Sequence, residues 1–233
     1  MKIDFLSVFF PAYNEEKNIA STIKKAGQVL KKLELKNYEI IVVDDGSKDK
    51  TGKIVKDLQK DDQHIRLITH SPNKGYGVAL KSGFYNAKYP WIIFTDSDGQ
   101  FDFSEITKLL DKAGEFDVVV GYRIHRRDSF LRKLNGWGWT TLTNFLLGLR
   151  VRDIDCGFKL VKKTVIDRIS SLTSSRGGMI SPELLAKAKK AGFKITEVGV
   201  RHFPRKEGKQ SGANLKVILS SFADLFKLWW KLL

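Results

Sequence analysis

Cysteine is nearly missing from this chain. Cys156 is the single one in 233 residues, which excludes an intrachain disulfide and suits a reducing cytosol. No window holds 18 consecutive apolar residues, so no transmembrane helix is expected. The opening MKIDFLSVFFPAYN runs straight into a strand-like segment, without a signal-peptide cleavage pattern. Internal repeats and low-complexity tracts are missing too. Acidic residues are scarce in one half only. Residues 1–120 hold 18 Lys/Arg and 18 Asp/Glu, whereas residues 121–233 hold 23 and 8, which is the whole net charge of +15. The second half is therefore expected to meet something anionic: nucleic acid, a phosphorylated substrate or an acidic membrane face.

What is present fits a globular chain. Hydrophobic residues at 42% and charged residues at 29% rule out disorder and a collagen-like fibre. The length suits one large domain, or a domain with an appendage. Short apolar runs occur at 5–10, 40–43, 65–68, 91–94 and 117–120, with helical patterns near 15–33, 50–60, 76–87 and 103–113. Asn14 with Glu15 and Glu16, and Asp102 with Glu105, read as helix starts. This alternation predicts an α/β fold with a parallel sheet covered on both faces. Beyond residue 121, a basic stretch leads into an apolar, aromatic, Gly-dotted segment. A strand follows RDIDCGFKLV, a helix with a Gly stop spans 181–192, and a strand spans 194–203. A loop covers 203–214 and a final helix 215–233.

Ligands of such sheets collect at the carboxyl ends of strands, and polar clusters sit there. Asp96-Ser97-Asp98 follows the run WIIFT. Two carboxylates one residue apart can share Mg²⁺ or Mn²⁺ as hard oxygen ligands, with a carbonyl from Gln100; D-S-D-G is equally a turn sequence. Asp44-Asp45-Gly46-Ser47 ends the second strand, and reads either as part of a ligand site or as a turn in which Ser47 or Asp49 caps a helix. At the end of the first strand, Tyr13 offers a ring for a base and Glu15 an acceptor for base or ribose. The alternative there is a helix entry with a packed tyrosine. Three such clusters at successive strand ends favour a nucleotide site.

These segments carry a resemblance. PAYNEEKNI, IVVDDGSKDKT, NKGYGVALKSGF, DSDGQFD, VVVGYR and RDIDCGFKL are similar to family-2 glycosyltransferases of the GT-A fold, within the dolichyl- or polyprenyl-phosphate sugar synthase group. The resemblance implies a Rossmann-like, mostly parallel sheet flanked by helices. It implies a nucleotide-diphosphate sugar donor (GDP- or UDP-hexose), with Pro11, Tyr13, Glu15, Val43 and Asp45 around the nucleoside. Asp96, Ser97 and Asp98 would meet the diphosphate, with Mg²⁺ or Mn²⁺ on Asp96, Asp98 and Gln100. Arg123, Arg132 and Arg205 would meet phosphate charge. Two segments depart from the common pattern. Cys156-Gly157-Phe158-Lys159 stands where many members read S-G-F-R, which is closer to glucose than to mannose synthases. Arg205–Gly212 is one residue longer than the usual R-x-x-G-x-S-K loop and lacks its Lys.

The expected organisation is a catalytic domain over 1–214, with a nucleotide-sugar half (1–120) and an acceptor half (121–214). An amphipathic helix follows at 215–233. The expected reaction is inverting transfer of a hexose to a polyprenyl (dolichyl) phosphate. A phosphate acceptor is already an anion and needs no general base. It does need cations, and Arg123, Arg126, Arg127, Arg132 and Lys133 supply them; a solvated basic loop is the plainer reading of that run. Asp153 and Asp155 are candidate bases for a hydroxyl acceptor, or ordinary capping and ion-pair residues. His64, His70 and His125 read as incidental, and His202 as a weaker candidate for a phosphate contact. The tail places Leu215, Ile218, Leu219, Phe222, Leu225, Phe226 and Trp229 at helical spacing. Such a helix either docks on the core or lies in a membrane interface, where paired tryptophans and lysines suit the headgroup level. The expected location is cytoplasmic, peripheral on the cytoplasmic membrane face, and a membrane-protein partner is compatible with it. Transfer to a soluble glycan or protein hydroxyl is the alternative. Nucleic-acid binding is the remote one, since aromatics are not interleaved with the basic run.

Overall fold

The computed structural model describes residues 3–124, 130–174, 177–205 and 215–232. Seven described strands form one sheet: β1 (Phe5–Ala12), β2 (Asn37–Asp44), β3 (Ile65–Thr69), β4 (Trp91–Thr95), β5 (Val118–Ile124), β6 (Phe158–Lys162) and β7 (Ile195–Arg201). Their order is β3-β2-β1-β4-β6-β5-β7. The apolar runs become strands because they are buried on both faces: in β1 and β2 every residue after the first is buried.

Two helical layers cover the sheet. On one face α1 (Ile19–Lys32) buries Ile19, Ile23, Ala26 and Leu30. It is joined there by α2 (Thr51–Asp61) and α4 (Ile106–Leu110). The other face carries α3 (Tyr76–Asn86), α6 (Lys163–Arg168) and α7 (Gly177–Lys190). Gly192 stops α7 in the left-handed region at φ +81°. The helix begins four residues before the expected Ser181, so Pro182 falls within its second turn.

One local expectation changes. Asn14 does not start a helix. It sits at φ +55°, and α1 begins only at Ile19. The amides after Tyr13 go to the neighbouring turn: Asn14 N–H donates to Ser47 Oγ (2.9 Å), Glu15 N–H to Thr51 Oγ1 (2.8 Å) and Glu16 N–H to Asp49 Oδ2 (3.1 Å). The two turns that end β1 and β2 are thereby stitched together. The sheet is mostly parallel, as the resemblance implies, with β6 running antiparallel to both β4 and β5. After β5 the chain forms α5 (Phe130–Leu147) and re-enters the sheet from its carboxyl end, where Phe158 pairs with Thr95. That reversal delivers residues 153–157 to the end of the sheet where ligands collect.

The final helix, α8 (Leu215–Leu232), docks in part. Leu225 and Leu228 are buried with Met179 of α7, beside Trp139, Leu142 and Leu146 of α5. Trp139 and Phe222 pack edge to face at 5.5 Å. Phe226 and Trp230 stay exposed, as do Trp137 and Phe145 on α5. Among the described residues no helix is long and apolar enough to cross a membrane.

Candidate active site

The chain runs outward from β1 to β3 and returns to β4 on the other side of β1. The crevice where strand order reverses lies between the carboxyl ends of β1 and β4, and the D-S-D turn follows β4 directly. Asp96 is gripped on both oxygens. The Tyr76 hydroxyl donates to Oδ1 at 2.5 Å, and Gly157 lies against Oδ2, so close that a Cβ there would stand 2.1 Å away. Burial, and then the negative charge of Asp98, push the Asp96 carboxyl up to about 6. Burial also raises Asp98. Asp98 Oδ1 accepts from Gln100 N–H (3.0 Å) and Oδ2 from Arg205 Nη1 (3.3 Å).

Two mutually repelling, poorly hydrated carboxylates are a donor set that a divalent cation would neutralise. No group of three or more His, Cys, Asp or Glu side chains gathers for a metal among the described residues. The pair fits Mg²⁺ or Mn²⁺ bound in the usual way, through one or two carboxylates with substrate phosphates completing the shell.

The other expected residues divide by what they touch. Arg205 reaches both Asp98 and Glu15, and Asn18 Nδ2 donates to Glu15 Oε2 at 2.7 Å. The segment before Arg205 is stitched to the D-S-D turn, with Gln100 Nε2 donating to the Phe203 carbonyl (2.9 Å) and Phe203 N–H to the Gln100 carbonyl (2.8 Å). Tyr13 is exposed and presents its ring. Ser97 is a latch: its Oγ donates to the Pro11 carbonyl at 2.7 Å, and Pro11 itself is buried. Val43 packs wholly in the core beneath α3, so it offers a ligand no side-chain surface. Asp45 is buried as well, with its carboxylate occupied by His70 and by the amides of Lys74 and Gly75.

On the acceptor side, Arg123 forms a two-pronged pair with Asp153, through Nε (2.6 Å) and Nη2 (2.7 Å). The bond to Asp153 holds the guanidinium above its ordinary pKa despite burial. A guanidinium has five N–H donors, and this pair uses two. Asp155 reaches solvent yet is ringed by protein, so poor hydration and the Asp153 charge push its carboxyl up to about 6. Arg126, Arg127, residues 206–212 and the side chain of Arg132 lie outside the described residues. His202 pairs edge to face with Phe101 at 5.1 Å.

Sequence reasoning passed over three residues here. His70, read as incidental, is buried between Asp45 (2.6 Å) and Ser82 (2.9 Å). Tyr76 was seen only as part of NKGYG. Lys159 is wholly buried, with its Nζ donating to Ser181 Oγ (3.0 Å) and to the carbonyls of Ile154 (3.3 Å) and Cys156. It fastens the loop that carries Asp153 and Gly157. Burial lowers its pKa.

The pattern described as "Glycosyl transferase family 2" matches residues 7–170, from β1 past α6. The chain belongs to glycosyl transferase family 2. It is similar to the dolichyl-phosphate beta-glucosyltransferase of Homo sapiens, at 32% identity over 214 residues (84% of this chain and 66% of that protein). The Saccharomyces cerevisiae protein of the same name is 30% identical over 221 residues, 84% of this chain and 66% of its own length. The undecaprenyl-phosphate 4-deoxy-4-formamido-L-arabinose transferase of Proteus mirabilis is 30% identical over 219 residues, 93% of this chain and 65% of that protein. The chain spans a little under two thirds of these relatives. Among solved structures, the glucosyl-3-phosphoglycerate synthase of Mycobacterium tuberculosis with Mn²⁺, UDP-glucose and phosphoglyceric acid superposes with a TM-score of 0.74. It is 18% identical, covering 97% of this chain and 80% of that one. At that identity the likeness establishes the α/β GT-A fold of this family-2 chain.

Proposed function

We propose that this chain transfers a hexose from a nucleoside-diphosphate sugar to a polyprenyl phosphate. The observation that carries the proposal is the Asp96–Asp98 pair at the switch point, flanked by Arg205 on one side and by the Arg123–Asp153 pair on the other. Sequence similarity to dolichyl- and undecaprenyl-phosphate transferases supports the lipid acceptor. Tyr13 and Glu15 face the nucleoside. Asp96 and Asp98 hold Mg²⁺ or Mn²⁺, which when bound supplies positive charge to the departing diphosphate. Arg205 leaves its carboxylate partners for that diphosphate, and Arg123, oriented by Asp153, steadies the acceptor phosphate. The acceptor oxygen is already anionic, so no side chain removes a proton.

The site also belongs at a membrane surface. Exposed Trp137, Phe145, Phe226 and Trp230 lie on two helices that touch, and the half of the chain that carries them holds the entire positive excess. Peripheral association with the cytoplasmic face brings the lipid phosphate to Arg123.

One observation favours a second acceptor class. A carboxyl pushed up to about 6, as in Asp155, suits a general base for a hydroxyl, whereas Asp153 is committed to Arg123. The deciding experiment offers polyprenyl phosphate, polyprenol and soluble glycans with UDP- or GDP-hexose and Mn²⁺. Preference for the phosphate supports the first reading. Preference for an alcohol, lost in Asp155→Asn, replaces it with the second.

A further inference from the structure

Asp45 directly follows β2. Its N–H donates to the Ala12 carbonyl of β1 (2.9 Å), and its remaining polar contacts lead to residues 70–75, just before α3. Its Oδ1 accepts from Lys74 N–H (3.0 Å) and meets His70 Nδ1 (2.6 Å), its Oδ2 accepts from Gly75 N–H (2.8 Å), and its carbonyl accepts from Asn73 Nδ2 (2.7 Å). His70 continues to Ser82 of α3 at 2.9 Å. Gly75 takes φ +93°, a conformation that side-chain-bearing residues rarely adopt. At Gly46 a Cβ would come within 2.6 Å of Asn73 N. The loop 73–75 is thus pinned along its length, and the residue it delivers is Tyr76, whose hydroxyl ends on Asp96.

Tyr76 stands at the rim, 39% exposed, with its hydroxyl turned in onto Asp96. Asp96 gains from the contact. Its carboxylate follows the last residue of β4, is repelled by Asp98, and is limited on one side only by Gly157. The phenol closes the other side.

Resting on the metal and diphosphate reading above, we propose that Tyr76 is a positioning residue that fixes the Asp96 carboxylate for the divalent cation, and that Asp45 acts through the loop to hold Tyr76 there. Outer partners of a metal-ligating carboxylate set its orientation, and their removal typically costs ~10–100-fold in metal affinity. The test is calorimetric titration of Mn²⁺ into the whole protein, alone and with UDP or GDP, for wild type, Tyr76→Phe, Asp45→Asn and Asp96→Asn. Tyr76→Phe keeps the ring and loses only the hydroxyl. It is expected to bind Mn²⁺ ~10–100-fold more weakly with an unchanged melting temperature, a split that a purely structural role would not give. Asp45→Asn is expected to shift Mn²⁺ affinity in the same direction. Tyr76→Phe binding Mn²⁺ as tightly as wild type overturns the inference and leaves the metal reading standing. Asp96→Asn binding Mn²⁺ as tightly as wild type removes that reading, and the inference with it.

Discussion

Gly157 presses its Cα against the carboxylate of Asp96, leaving no room for a methyl group: an added Cβ would stand 2.1 Å from Oδ2 and 2.7 Å from Cγ. The obstacle is one side chain and not backbone, so an alanine would fit by turning Asp96 away from its position. Gly157→Ala is therefore expected to fold and to lose at least about tenfold in Mn²⁺ affinity and in sugar transfer, as an outer-partner change does. Titration of Mn²⁺ beside a melting curve checks this. Unchanged affinity would mean that Asp96 is not held by the glycine.

Arg205 sits between Glu15 and Asp98, so a single guanidinium neutralises both the carboxylate proposed for the nucleoside and the one proposed for the metal. Lysine keeps the charge but cannot bridge two carboxylates with separate nitrogens. Arg205→Lys is expected to raise the donor's KM several-fold, and Arg205→Ala by ~10-fold or more, with little change in affinity for a free nucleoside. Steady-state kinetics with nucleoside binding measured in parallel checks this. A loss confined to nucleoside affinity would place Arg205 on the base or ribose instead.

The strands were legible because a doubly covered sheet writes itself as short apolar runs, and IIVV and WIIF landed inside β2 and β4. Direction was not legible. FKLV has no mark distinguishing an antiparallel strand from a parallel one, and β6 reverses only because α5 leaves the chain at the carboxyl end of the sheet. Asp96 and Asp98 stood out because acids abruptly follow an apolar run. Tyr76 did not, since its tie to Asp96 spans twenty residues and exists only once loop and strand are folded. A weak signal for Lys159 was present: a lysine inside an apolar run, where the core permits one only if carbonyls and hydroxyls surround it. Asn14 misled because an Asx residue before two acids marks a left-handed turn as readily as a helix cap.

Glu183 supplies a pH-dependent clamp. Its buried carboxylate accepts from Thr173 N–H (2.8 Å) and Ser174 N–H (2.7 Å) and pairs with Lys187 (2.6 Å). Burial opposes the charge, but these bonds prevail and bring the pKa down to about 2. A folded pKa below the unfolded one contributes stability that is fully present above the unfolded value. It is lost as pH falls from about 4.5 toward 2. The full effect is on the order of 3 kcal/mol. Glu183→Gln is expected to unfold more easily than wild type at pH 7, with the gap closing as the buffer is acidified. Urea titrations at several pH values give this directly. A gap that stays constant with pH would remove the charge from the account.

The last expectation concerns α8. Leu225 and Leu228 are spent on Met179 and the α5 side chains, so they hold the helix to the domain and are not available to a bilayer. Phe226 and Trp230 point outward, with Lys227 and Lys231 adjacent in sequence. Membrane affinity should therefore reside in the exposed aromatics and the lysines, not in the whole apolar stripe of the helix. Partial burial of two aromatic rings contributes up to about 1.5–3 kcal/mol each, and each Lys near an anionic surface ~1 kcal/mol. The paired substitution Phe226→Ser with Trp230→Ser is expected to abolish sedimentation with anionic liposomes while leaving the melting temperature unchanged. Leu225→Ala is expected to do the reverse, lowering stability by ~2–5 kcal/mol with membrane binding retained below the melting transition. If the double serine variant still pellets as wild type does, the membrane face lies elsewhere, with Trp137 and Phe145 of α5 the next aromatics to remove.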